Sequence, residues 1–143
     1  MANFSDQVGA WAAQTKRRLD AVYARSVEIL GEELSTTTAE GGNVPIQTGN
    51  LANSLLASKS GMPPTSSGPF AGSNVGLITA TIRANQTVWL GYQATYARRV
   101  NSGFVGADGR GRVYNQQGAH FVESAVAKWP QIVNQAVSEI KGI

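Results

Sequence analysis

From position 4 to 34 the apolar residues fall at Phe4, Val8, Trp11, Leu19, Tyr23, Val27, Leu30 and Leu34, with Thr15 filling the one gap. Steps of three and four residues put them on one face of an amphipathic helix. Asn3 is placed to cap it, and Asp6 lies where a carboxylate meets the helix's positive end. The run Ser35-Thr36-Thr37-Thr38 and the pair Gly41-Gly42 end it. A helix this long carries more apolar stripe than one small sheet can cover. The excess is a candidate subunit contact, unless a second helix covers it.

Val44-Pro45 keeps the next stretch extended, and Thr48 and Gly49 suit a capped turn. Leu51 and Leu55, four apart, would share a face and pin that corner to the core. Positions 54–60 can run as a strand. Gly61-Met62-Pro63-Pro64 through Gly68-Pro69 cannot form regular structure, so a long loop follows, reaching Ser73. It is either a tolerated insertion or an arm that orders against a neighbour. The β-branched run Leu77-Ile78-Thr79-Ala80-Thr81-Ile82-Arg83 and the run Val88-Trp89-Leu90-Gly91-Tyr92 predict a hairpin. Ile78, Ala80 and Ile82 would then share the face that meets the long helix.

Thr95 is expected to cap a short helix over 96–101 that stops at Gly103. Gly106 to Gly118, with Asp108, Arg110 and Arg112, predicts a second long loop. The last stripe is Val122, Ala125, Trp129, Ile132, Val133, Ala136, Val137 and Ile140. Pro130 lies inside it, and must kink the helix or start a new one. The sum is a single α+β domain over 1–143: a long N-terminal helix and a C-terminal helix packed on a small antiparallel sheet, with two long loops.

Size permits a core without staples, since a chain of this length buries roughly 68–70% of its unfolded surface. Charged residues make up only 15% of the 143, so much of the surface is Ser, Thr, Asn, Gln and Gly. With no cysteine, neither a disulfide framework nor thiolate chemistry is available. The first residues lack the basic and apolar regions of a secretory signal, and no run approaches the roughly 20 apolar residues that cross a bilayer. Cytosolic synthesis and no membrane partner are the expectation. The net charge of +3 comes mainly from arginine, in the clusters Lys16-Arg17-Arg18, Arg98-Arg99 and Arg110-Gly111-Arg112.

Catalysis needs a positioned acid, base, nucleophile or metal. His120 is the only histidine, which rules out a multi-histidine zinc site. No serine sits in a nucleophile elbow, and the spaced glycines at 106, 109 and 111 do not lead from a strand into a helix. No enzyme, cofactor or metal is expected. Arg110 and Arg112 in the run Gly109-Arg110-Gly111-Arg112 could neutralise phosphates without reading sequence, so a small nucleic-acid-binding accessory protein is the alternative.

Three blocks in order carry a resemblance. Thr48-Gly49-Asn50-Leu51-Ala52-Asn53-Ser54 has a Thr-Gly-x-Leu-x-x-Ser pattern after a polar helix. Tyr96-Ala97-Arg98-Arg99-Val100-Asn101-Ser102-Gly103 and Ala119-His120-Phe121-Val122-Glu123-Ser124-Ala125 follow it. Together they resemble the tail-completion, or neck, proteins of bacteriophages with long non-contractile tails. Asn101 stands where an acidic residue is common, and His120 where Pro is common. The resemblance implies a virion structural protein of the head–tail neck, made in the host cytoplasm. It would form a homo-oligomeric ring, by expectation a hexamer. Its neighbours would be the head connector or stopper and the tail terminator or tail tube, with non-specific DNA contact in the channel. Pro63, Pro64, Pro69, Phe70, Phe104, Arg110 and Arg112 would then meet neighbours. Thr48, Gly49, Leu51, Leu55, Phe121 and Trp129 would be structural, with Trp89 and Tyr96 packing the sheet against the short helix.

Overall fold

The computed structural model describes residues 3–45, 50–70, 72–107 and 109–141. Helix α1 runs Phe4–Ser35, 32 residues long. It opens on a reciprocal cap: Asn3 Oδ1 accepts the Asp6 N–H at 2.8 Å while the Asp6 carboxylate accepts the Asn3 N–H. After a short 3-10 turn, Thr38–Glu40, come the single turn α2 (Asn50–Asn53) and strand β1 (Leu55–Ser58). Helix α3 (Val75–Thr79) and strand β2 (Trp89–Tyr92) follow. Then come helix α4 (Ala97–Ser102), strands β3 (Gly103–Ala107) and β4 (Val113–Gln117), and helices α5 (Phe121–Ala127) and α6 (Trp129–Ile140). The architecture is α+β.

Two expectations are corrected. Residues 75–79 are helical, so β2 has no hairpin partner there; it pairs antiparallel with β1, Leu55 opposite Tyr92 and Ser58 opposite Trp89. The reason is tertiary. Val75 packs on Gly31 of α1, where a Cβ would come within 3.0 Å of Val75 Cγ1. Thr79 Oγ1 donates to Glu28 Oε1 of the same helix at 3.0 Å. Asn74 meanwhile covers the open edge of β1, its Oδ1 accepting the Ala57 N–H at 2.7 Å and its Nδ2 donating to the Ala57 carbonyl at 3.0 Å. A side-chain amide thus replaces the strand that the β-branched run suggested.

The second glycine-rich loop is also no loop. β3 and β4 form an antiparallel hairpin, Gly103 opposite Gln117 and Ala107 opposite Val113. Among the described residues there are therefore two separate two-stranded ribbons where one small sheet was expected.

Among the described residues, three clusters make the core. Val27, Leu34, Leu55, Ala57, Val75 and Ala125 join α1 to the first ribbon. Val44, Leu51, Ala52, Ala94, Ala97 and Phe121 sit beneath the 50–54 corner, where the Phe121 ring meets Tyr92 edge-on at 5.3 Å. Ile29, Ile132 and Ala136 bind α1 to α6. Pro130 stands in the first turn of α6, where its missing N–H costs nothing, so the stripe is two helices and not one kinked one.

Candidate assembly surfaces

The expected corner is half visible. Thr48 and Gly49 lie outside the described residues. Leu51 and Leu55 are both buried, at 5% and 0% exposure, but they do not share a face. The chain changes from helix to strand between them, and each enters a different cluster. Ser54 makes the change: its Oγ donates to the Leu51 carbonyl at 2.8 Å, its N–H to the same oxygen, and its own carbonyl accepts from Gln93. The Leu-x-x-Ser spacing is thus a buried turn with all three Ser54 polar groups satisfied.

Asn101 uses both ends of its amide. Its Oδ1 accepts the Val122 N–H at 3.0 Å, in the first turn of α5, and its Nδ2 donates to Glu123 Oε1 at 3.0 Å. An amide can do both; an aspartate would face Glu123 with like charge. Glu123 is held below the ordinary carboxylate range by its own N–H at the helix start, then by Asn101. His120, the residue before α5, has φ of 51° and an exposed ring 3.7 Å from the Glu123 carboxylate. It fills the cap position without a side-chain cap bond. Tyr96, not Thr95, is the cap residue of α4, again without one.

Trp89 and Tyr96 do not form the expected bridge. Tyr96 is 42% exposed and lines a cleft of about 140 Å³ with Pro45, Leu51, Val100 and Ala119. Trp89 is half-buried at the far end of β2, opposite Ser58. Trp129 begins α6 and packs beside the α1–α6 cluster.

The 61–73 loop lies on its own protein over much of its length. Met62 Sδ and Pro63 Cδ cover the place where a Cβ on Gly91 would be, at 2.5 and 3.2 Å. The Ser66 N–H donates to the Gln93 carbonyl at 2.8 Å, and Phe70 packs against the cluster beneath the corner. Pro63 and Phe70 are half-buried, whereas Pro64 and Pro69 are exposed.

Two features project. One is the β3–β4 hairpin. On its inner face Phe104 lies under the Arg99 guanidinium at 3.8 Å and beside Tyr114 at 6.2 Å. Alternation puts Val105, Ala107 and Val113 on the other face, where Val105 and Val113 are 78% and 81% exposed. Arg110 and Arg112 are exposed at its tip. The other is the outer half of α1, where Phe4, Trp11 and Leu19 stand well exposed. Sequence reasoning anticipated the helix and missed the hairpin, whose signal was Gly109-Arg110-Gly111 between apolar Val105 and Val113.

Among the described residues, no group of three His, Cys, Asp or Glu side chains gathers where a metal ion could be held. No helix among them is long and apolar enough to cross a membrane. Comparison with protein-family models, with curated proteins and with solved structures gave no match.

Proposed function

We propose that this chain is a structural subunit of a phage head–tail neck, acting by surface fit between copies and neighbouring rings. The observation that carries the reading is the β3–β4 hairpin. Two strands alone are marginal in water, and this pair is backed by α4 on one face only. Its other face presents valines to solvent, and such a ribbon gains most by lying against a second protein. A head-to-tail ring needs two different complementary surfaces on each subunit. The hairpin supplies one, and the exposed side of the 61–73 loop, at Pro64 and Pro69, supplies a candidate for the other. The block order from Thr48 to Ala125 adds the resemblance to neck proteins, and with it the head connector and tail as neighbours.

The test is the double substitution Val105→Asp with Val113→Asp. Both side chains point to solvent in the free subunit, so the purified variant keeps its helical signal and unfolding midpoint. In assembling particles it fails to join heads to tails. Normal joining by the folded variant contradicts the reading.

The tip of the hairpin supports a second reading. Arg110 and Arg112 beside a DNA channel would contact phosphates independently of sequence, and binding would fall steeply with salt. Submicromolar duplex binding by the isolated subunit, lost in Arg110→Gln with Arg112→Gln, would make nucleic acid the primary partner instead.

A further inference from the structure

The stripe of α1 has two halves with different fates. Val22 and Ile29 pack with Ile132 and Ala136 of α6, which runs antiparallel: Lys128 at its start meets Glu33 and Glu139 near its end meets Arg25. At 100° per residue, Phe4, Val8, Trp11, Thr15 and Leu19 occupy the same sector of the helix, about 80° wide. α6 is 12 residues long against 32 in α1, so it stops where this outer stripe begins. Phe4 is 79% exposed, Val8 45%, Trp11 68% and Leu19 58%. The 83–86 turn borders the stripe only at Leu19, across a cleft. It meets α1 on another side of the helix, through Asp20, which accepts the Ala84 N–H at 2.8 Å, and Tyr23, whose hydroxyl donates to the Gln86 carbonyl at 2.9 Å.

We infer that this outer half pairs with the same segment of a second copy, antiparallel, about a two-fold axis between Trp11 and Ala12. The spacing of the stripe argues for a second copy. About that point the positions mirror one another: Phe4 with Leu19, Val8 with Thr15, Trp11 with Ala12. A self-complementary patch is what an isologous contact requires. It also continues the seam that α6 already fills with antiparallel packing. Charge favours the same orientation only by avoidance: antiparallel pairing keeps the two Lys16-Arg17-Arg18 runs at opposite ends of the contact, whereas parallel pairing would bring them together. Aromatic side chains bury roughly 150–250 Å² each. The four in a pair, with both copies of Val8 and Leu19, reach about the 1,000 Å² at which a contact becomes specific. The expected affinity is micromolar, and the pairing stands whether or not the head–tail reading does.

Sedimentation velocity over a dilution series of the full chain tests it. The expected result is a reversible dimer with a dissociation constant of about 1–50 µM. Trp11→Glu, at an exposed position, keeps the helical signal and weakens the dimer at least roughly tenfold. Orientation is read by cross-linking, which the absence of native cysteine makes clean. Val8→Cys mixed with Thr15→Cys forms the mixed disulfide, while neither variant alone forms one efficiently. A monomer throughout the series, a dimer indifferent to Trp11→Glu, or efficient Val8→Cys self-linking overturns the inference.

Discussion

At the scale of single residues, much of this protein is explained by side chains that complete backbone hydrogen bonds. Asn101 is the clearest case, because one buried amide serves α5 through its oxygen and Glu123 through its nitrogen. Asn101→Asp removes the donor and faces Glu123 with like charge, and should lower stability by about 1–3 kcal/mol in denaturant unfolding. An unchanged midpoint would mean that the amide pair does not hold. Leu51→Ala should cost about 2–5 kcal/mol, as buried large-to-small changes do. The burial of Leu51 and Leu55 was legible from sequence. Their division between two clusters was not, because it depends on Ser54 ending one element and starting another.

At the scale of elements, the long helices and the strands at 55–58 and 89–92 were readable; the pairing of those strands and the second ribbon were not. The α1 stripe, its Asn3 cap and the break at Pro130 follow from local rules that tertiary contacts had no reason to override. The 77–83 run looked like a strand because its residues suit one. Yet Val75 fits Gly31 of α1, and Asn74 occupies the strand edge at Ala57, contacts 44 and 17 residues away in sequence. Asn74→Ala strips both bonds from Ala57, and should cost about 1–3 kcal/mol with faster amide exchange along β1. In the hairpin, the glycines and the polar run Asn115-Gln116-Gln117 hid an alternation of only five residues per strand. The α1–α6 contact carries a titration. Arg25 donates to Glu139 and also pairs with Glu28 and Glu32. Glu139 is held below its ordinary 4.5, chiefly by Arg25, and Arg25 holds its proton more tightly in return, chiefly through Glu139. A lowered carboxylate stabilises the fold above its unfolded value and loses that contribution as pH falls through the folded one. The unfolding midpoint should therefore be level from about pH 7 to 5.5 and drop below about 4.5. Glu139→Gln should have a lower plateau and a shallower acid limb, and an acid limb of wild-type depth would remove Glu139 from the account.

At the scale of the whole molecule, the shape is a packed centre from which a helix half and a hairpin extend. Phe4, Trp11, Val105 and Val113 are spent on these projections while Leu55, Val44 and Phe121 are sealed inside. That distribution suits a subunit whose fold is finished by its neighbours. The measurement that bears most directly on this is electron cryomicroscopy of tailed particles from the source of the chain. The account predicts a ring of copies at the head–tail junction, with each β3–β4 hairpin lying against another subunit and Val105 and Val113 out of solvent. Particles complete at that junction without this chain would contradict it.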